Sequence, residues 1–202
     1  MKCALLVLLV ATLAGCGGDD GSGGGNAQQS DCDVQGDAQL AKLEEGKTYR
    51  LVVQTNKGAF TIELDRETAP CTSASFVSLA QKGFFNGIKF HRIVPGFVIQ
   101  GGDPTGKGSG GPGYSTVDVP PDDAKYTKGV VAMAKTPTEP AGTAGSQFFV
   151  VTAEDSGLTP EYAVLGKVVE GLDVVEKIGK LGGADERPTE PVEIETVKVE
   201  AS

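Results

Sequence analysis

The chain has 202 residues, 39% of them hydrophobic and 22% charged, with a formal net charge of −9, which fits one or at most two folded domains and excludes a collagen-like or wholly disordered chain. With 18 basic against 27 acidic side chains, there is no cationic surplus to neutralise phosphates, and a nucleic-acid partner is not expected. The one histidine, His91, cannot build a histidine-rich zinc site, and any histidine-centred triad would have to rest on it.

Lys2 followed by the apolar run Ala4 to Leu13 reads as an export signal, because the run is far shorter than the ~20 residues needed to span a bilayer. It ends in Leu13, Ala14, Gly15, Cys16, which resembles the lipobox of bacterial lipoproteins. That resemblance implies removal of residues 1–15 as a lipoprotein signal peptide and lipidation of Cys16. An ordinary cleavage site with a bystander cysteine is the alternative, since small residues before the cut suit both. Gly17 to Ser30 is rich in Gly, Ser, Asp, Asn and Gln, so residues 16–31 are expected to form a flexible tether. Cys3 leaves with the signal and Cys16 takes lipid, which leaves Cys32 and Cys71 as one possible pair in an oxidising compartment. A disulfide between them is expected, with two unpaired thiols as the alternative, because distance cannot be read from sequence. Residues 32–47 form an N-terminal arm in which Val34, Leu40, Ala41 and Leu43 suggest a short docked turn. The folded domain spans 48–202.

Within that domain, Thr48 to Thr55 and Ala59 to Leu64 are β-rich runs joined by Asn56, Lys57 and Gly58, the chemistry of a tight hairpin. Pro70 opens a helix whose apolar residues Phe76, Val77, Leu79 and Ala80 follow helical spacing, and Gly83 offers its stop. Further strands are expected at Phe90 to Ile93, Phe97 to Gln100, Val130 to Ala134, Phe148 to Thr152, Val164 to Val168 and Val192 to Val199, with a short helix at Leu172 to Ile178. Many short strands, two helices and no βα alternation predict a mainly β fold, a closed or nearly closed antiparallel sheet.

Chemistry-bearing side chains gather in Phe90 to Asp103 (FHRIVPGFVIQGGD), where a cation, an aromatic and an amide stand among apolar strand residues, and in Gly145 to Val151 (GSQFFVV). Alternation places Gln100 on the face of Val98 and Phe97 on the face of Ile99 unless a twist or bulge mixes them, with the core side undecided. The first block and GSQFF closely resemble the two signature blocks of the cyclophilin family of peptidyl-prolyl isomerases. The resemblance runs from about Thr48 to Val199 and takes in YAVLGKVVEGLDVVEKI at Tyr162 to Ile178.

The resemblance implies an eight-stranded antiparallel closed barrel capped by two helices, with a substrate proline in a surface groove and neither metal nor organic cofactor. By motif position it implies Arg92 as the catalytic arginine, Phe97 and Phe149 as the floor of a proline pocket, and Val98, Gln100, Gln147 and Leu158 around it. Ala134 and Lys135 match the strand that aligns bound peptide. Tyr162 stands where many members place a histidine, and Gly157 where the most studied members have tryptophan. Lys135 to Ala144 is longer than the common family loop, which reshapes one rim of the groove. The expected function is cis/trans isomerisation of X-Pro bonds in exported or unfolded proteins. The molecule would be a monomer outside the cytoplasm, anchored to the bacterial cell membrane through its lipid alone. The alternative is a proline-peptide-binding chaperone module with little turnover.

Gly101 to Gly108 (GGDPTGKG) approaches a phosphate-binding loop, yet Gly108 replaces the Ser/Thr that would hold magnesium and no helix pattern follows. It reads as a flexible rim loop. His91 is expected as a packed neighbour of Arg92 rather than a base, since bond rotation removes no proton. Asp118, Asp122 and Asp123 lack the spacing of a calcium loop and read as a solvated acidic loop.

Overall fold

The computed structural model describes residues 32–202; the signal, Cys16 and the tether lie outside the described residues. The described residues begin with a short strand, β1 (Val34–Gln35), ahead of β2 (Tyr49–Thr55) and β3 (Gly58–Leu64). Helix α1 (Pro70–Gln81) follows, then β4 (Arg92–Val94), β5 (Val98–Gly101) and β6 (Ser115–Val117). The second half runs β7 (Val130–Met133), β8 (Thr143–Ala144), β9 (Phe148–Val151), β10 (Val164–Glu170), α2 (Leu172–Gly179) and β11 (Ile194–Ala201).

β2 and β3 pair from Arg50↔Glu63 to Thr55↔Gly58, leaving Asn56 and Lys57 as the turn. The Thr55 hydroxyl ties that turn, accepting from the Lys57 N–H and donating to the Gly58 carbonyl. Burial alternates along β2, with Tyr49, Leu51 and Val53 inward, the period that a sheet covered on one face imposes. The eight strands expected from the sequence form one antiparallel sheet in the order β11-β2-β3-β10-β7-β9-β5-β4. Helix α1 packs against β11, and α2 against β3, β4 and β5. Phe60, Ile62, Phe76, Phe90, Ile99, Met133, Leu165 and Ile178 fill the core between them.

The expected closed barrel does not form: the sheet is an open, curled half-barrel whose edge strands β11 and β4 do not pair. The segments leading into those strands meet, with the Gly87 and Phe90 N–H groups donating to the Ile194 and Val192 carbonyls at 2.8 and 3.0 Å. Past that crossing β4 turns its edge to the loop after α2, and the Ile93 N–H goes to the Glu186 carbonyl at 2.7 Å. A loop thus satisfies an edge that a strand would satisfy in a closed barrel.

A second sheet, β1-β6-β8, is absent from the sequence reading, because strands of two or three residues carry no periodicity. It shows the arm docked, as its apolar residues suggested, but as an extended segment rather than a turn. The arm runs extended, pairing Val34 with Thr116, and further along the Ser78 hydroxyl donates to the Gln39 carbonyl at 2.7 Å. Ala41 and Leu43 rest on the core. Cys32 is bonded to Cys71 with their Cα atoms 5.5 Å apart, so the arm is also fastened covalently to the first turn of α1.

Asp118 is likewise not part of a solvated loop. Helix α1 has no side-chain cap of its own. The buried Asp118 carboxylate supplies one from 46 positions away, accepting from the Thr72 N–H and hydroxyl, each at 2.6 Å. Unpaired N–H groups and the positive end of the helix favour a carboxylate there. Asp122 and Asp123 are exposed, as expected.

Candidate active site

The four neighbouring strands β4, β5, β9 and β7 present two faces. Ile93, Ile99, Val150 and Val131 lie opposite one another in register and are fully buried in the core. One residue along, Arg92, Gln100, Phe149 and Ala132 form the next cross-strand row. The pleat turns that row to the opposite face. Val98 and Gln100 therefore face outward while Ile99 faces the core, which decides what the sequence left undecided. Phe97 departs from the strict alternation. It precedes β5 in a turn whose carbonyl accepts from both Thr152 and Ala153 N–H groups, at 2.8 and 3.2 Å, and this irregularity sends its ring to the face of Val98 rather than that of Ile99.

On the outward face Val98, Tyr126, Val130, Ala132, Phe149 and Val151 make a second apolar cluster, partly covered by Phe97, Ala134, Leu158 and Tyr162. A cavity of about 260 Å³ opens on it, lined by Arg92, Phe97, Val98, Gln100, Ala134, Lys135, Phe149, Leu158 and Tyr162. Of the residues singled out from the sequence, only Gln147 lies outside this lining. It stands on the wall of an adjoining cavity of about 280 Å³, which shares Gln100, Ala134 and Lys135. Thr136 and Glu139, from the long loop after Lys135, line the same adjoining cavity.

Polar groups link the two cavities. Arg92 Nη1 lies 3.5 Å from Gln100 Oε1, Gln100 Nε2 donates to Gln147 Oε1 at 3.2 Å, and Gln147 Nε2 donates to the Gly110 carbonyl at 2.9 Å. Arg92 Nε donates to Glu186 at 2.7 Å. The Lys135 side chain is only 5% exposed, with its ammonium 3.6 Å from the Glu161 carboxylate and 5.7 Å from the centre of the Tyr162 ring. Tyr162 in turn stands edge-on to Phe149, ring centres 5.5 Å apart.

The loop bearing Gly110 is not the flexible rim read from its glycines. It wraps around the buried Asp103 carboxylate, which accepts from the N–H groups of Thr105, Lys107, Gly108 and Ser109 and from the Thr105 hydroxyl. Burial alone would push this carboxyl up, but the hydrogen bonds outweigh it and bring its pKa down to about 2. Burial and, secondarily, the Arg92 charge hold His91 below the usual histidine range, against the pull of Asp103. Its Nδ1 is buried without a hydrogen-bond partner among the described residues, an arrangement suited to a neutral packed neighbour of Arg92. At Gly157 the backbone is left-handed, φ +67°, with open space where a side chain would start; a tryptophan there would be strained by its backbone, not by crowding.

Two residues at the site escaped the sequence reading. The Tyr126 hydroxyl accepts from the Tyr162 N–H at 3.0 Å and donates to the Tyr162 carbonyl at 2.6 Å, clasping the backbone of a cavity residue. Glu186 meets Arg92. Neither carries a local signal: Tyr126 is a lone aromatic in an irregular stretch, and Glu186 is one acid among many.

A family model described as "Cyclophilin type peptidyl-prolyl cis-trans isomerase/CLD" matches residues 50–199. The chain belongs to this cyclophilin-type isomerase family. A Helicobacter pylori peptidyl-prolyl cis-trans isomerase is 40% identical over 143 residues, 69% of this chain and 86% of that protein. The human peptidyl-prolyl cis-trans isomerase-like 1 is 39% identical over 147 residues, 70% of this chain and 87% of that protein. The fold is similar to the crystal structure of a Cryptosporidium parvum cyclophilin-type isomerase, with a TM-score of 0.68 and 27% identity over 76% of this chain and 98% of that one. A second structure of that protein, in the presence of the dipeptide Ala-Pro, gives a TM-score of 0.67 and 28% identity over 75% and 98% of the two chains. Cyclophilin membership makes the chain a peptidyl-prolyl cis-trans isomerase.

Proposed function

We propose that this cyclophilin is an exported, lipid-anchored isomerase that rotates X-Pro bonds in unfolded or newly exported polypeptides, with Arg92 as its catalytic residue. The observation that carries the site reading is the single cavity in which a guanidinium, an amide and an apolar floor of Phe97, Val98 and Phe149 converge. The Ala-Pro dipeptide used with the C. parvum relative supports a proline-containing ligand. The Cys32–Cys71 bond suits an oxidising compartment, and the lipobox at Cys16 with its polar tether supplies the membrane attachment. Residues 1–15 would be removed, 16–31 would span from lipid to arm, and 48–202 would carry the activity.

The chemistry asks for no bond cleavage. Amide resonance sets a barrier of ~18–20 kcal/mol, and turnover of about 10³ per second requires roughly 13 kcal/mol, so the site must supply roughly 5–7 kcal/mol. As the bond twists, the nitrogen regains its lone pair and the carbonyl loses conjugation. A guanidinium that donates to that nitrogen or to the rotating carbonyl acts on the twisted state more than on the planar one, and a charge-assisted bond contributes about 1.5–3 kcal/mol. The apolar floor holds the proline ring and strips water from an amide that is less polar when twisted, while the neighbouring backbone at Ala134 and Lys135 aligns the flanking peptide. The remainder comes from this differential binding.

Proline-limited refolding of a substrate protein tests the reading. Wild type should accelerate it, and Arg92→Ala should lower kcat roughly ten- to a hundredfold with peptide affinity little changed. Binding without acceleration by either protein would instead establish the chaperone module. Cys16→Ser should move the protein out of the membrane fraction; unchanged partition would refute the lipid anchor.

A further inference from the structure

Glu186 lies in the loop between α2 and β11, 94 positions along the chain from Arg92. Its carboxylate accepts from Arg92 Nε at 2.7 Å, and its own carbonyl accepts from the N–H of Ile93 at 2.7 Å. One residue therefore grips two successive residues of β4, one through its side chain and one through its backbone. Among the described residues it is also the sole non-glycine with positive φ, at 62°. An L-residue is strained there, and such strain persists only where the surroundings impose it.

The imposing contacts are specific. The Glu186 N–H donates to the Gly183 carbonyl at 3.0 Å and the Gly183 N–H to the Arg187 carbonyl at 2.7 Å. Gly182 packs so closely on β4 that a Cβ would fall 2.4 Å from the Ile93 carbonyl oxygen. Stability does not account for a carboxylate at this strained position. The two side chains are 37% and 51% exposed, and ion pairs in such surroundings stabilise a fold little.

We propose that Glu186 is a positioning residue for the isomerisation, orienting the Arg92 guanidinium toward the twisted amide; this rests on the reading of Arg92 as the catalytic residue. With Nε held by Glu186 at 2.7 Å and Nη1 facing Gln100 at 3.5 Å, Glu186 provides the close hold on the planar group and Gln100 a looser one. Nη2 then remains without a hydrogen bond among the described residues and serves the substrate. A guanidinium held this way spends less of its time in orientations that cannot reach the amide.

Two variants separate positioning from structure. Glu186→Gly removes the carboxylate and places at the left-handed position the residue that adopts it most freely; Glu186→Gln keeps reach and an acceptor but not charge. Glu186→Gly should lower kcat about three- to tenfold with KM unchanged and a melting temperature equal to or above wild type, and Glu186→Gln should fall between. Both losses should vanish in an Arg92→Ala background. A wild-type kcat in Glu186→Gly, a rise in kcat, or a kcat that falls together with the melting temperature would overturn the proposal. Full activity of Arg92→Ala alone would refute the catalytic reading itself, and is recognised from that single variant.

Discussion

The two faces of β4, β5 and β9 differ by one residue in sequence and by everything in environment. Ile93, Ile99 and Val150 point into a cluster of buried apolar side chains, and Arg92, Gln100 and Phe149 point to a half-open surface where an apolar floor meets hydrogen-bonding groups. Strand alternation alone creates the contrast. The core face sets where the outward face stands, and the outward face, on its own buried apolar cluster, carries the chemistry.

The largest expected effect comes from breaking the core face. Ile99→Ala, at a fully buried position, should cost about 2–5 kcal/mol in chemical denaturation, while activity per folded molecule stays near wild type because the neighbouring Val98 and Gln100 keep their register. A variant that is stable but inactive would show that the two faces are not separable in this way.

Acid sharpens the comparison at the support of the outward face. Asp103 has a folded pKa of about 2 against an ordinary 3.8, so its ionised form stabilises the fold fully above the ordinary value, and that contribution is lost as pH falls through about 2. Asp103→Asn should therefore be less stable than wild type by about 2 kcal/mol at pH 7, with the gap narrowing in urea titrations at pH 3. A gap independent of pH would dismiss the carboxylate as its cause.

The smallest effect belongs to Tyr126→Phe, which deletes the hydroxyl clasp on Tyr162. A stability loss of about 1 kcal/mol should accompany a KM raised about two- to threefold with kcat retained, as a cavity wall loosens while Arg92 is untouched. Loss of kcat without change in KM would place Tyr126 closer to the reaction than the geometry does.

Much of this site was legible because Phe90 to Asp103 and Gly145 to Val151, whose strands are neighbours in the sheet, resemble family signature blocks, and Ala134, Lys135, Leu158 and Tyr162 were legible through that resemblance alone. What escaped was contributed from afar or by segments too short to show a period. Asp118 caps a helix that lacks its own cap, and β1, β6 and β8 are readable only once they pair. The rim loop misled because its glycines spoke louder than Asp103, whose hydrogen bonds organise it.

The sequence by itself determined the alternation of the strands and the eight members of the main sheet, while the cavity residues were implied by the resemblance of its motifs to the cyclophilin family, and Cys32 and Cys71 remained as a pair once Cys3 and Cys16 were assigned to the signal and the lipid. Each depends on local periodicity, on contiguous motifs or on a count. Only the tertiary structure decided which face of β5 is core, that the sheet stays open at β4 and β11, and that Glu186 meets Arg92 across 94 positions. Those outcomes depend on which distant backbone groups reach an unpaired edge first, and no local pattern in a chain encodes that distance.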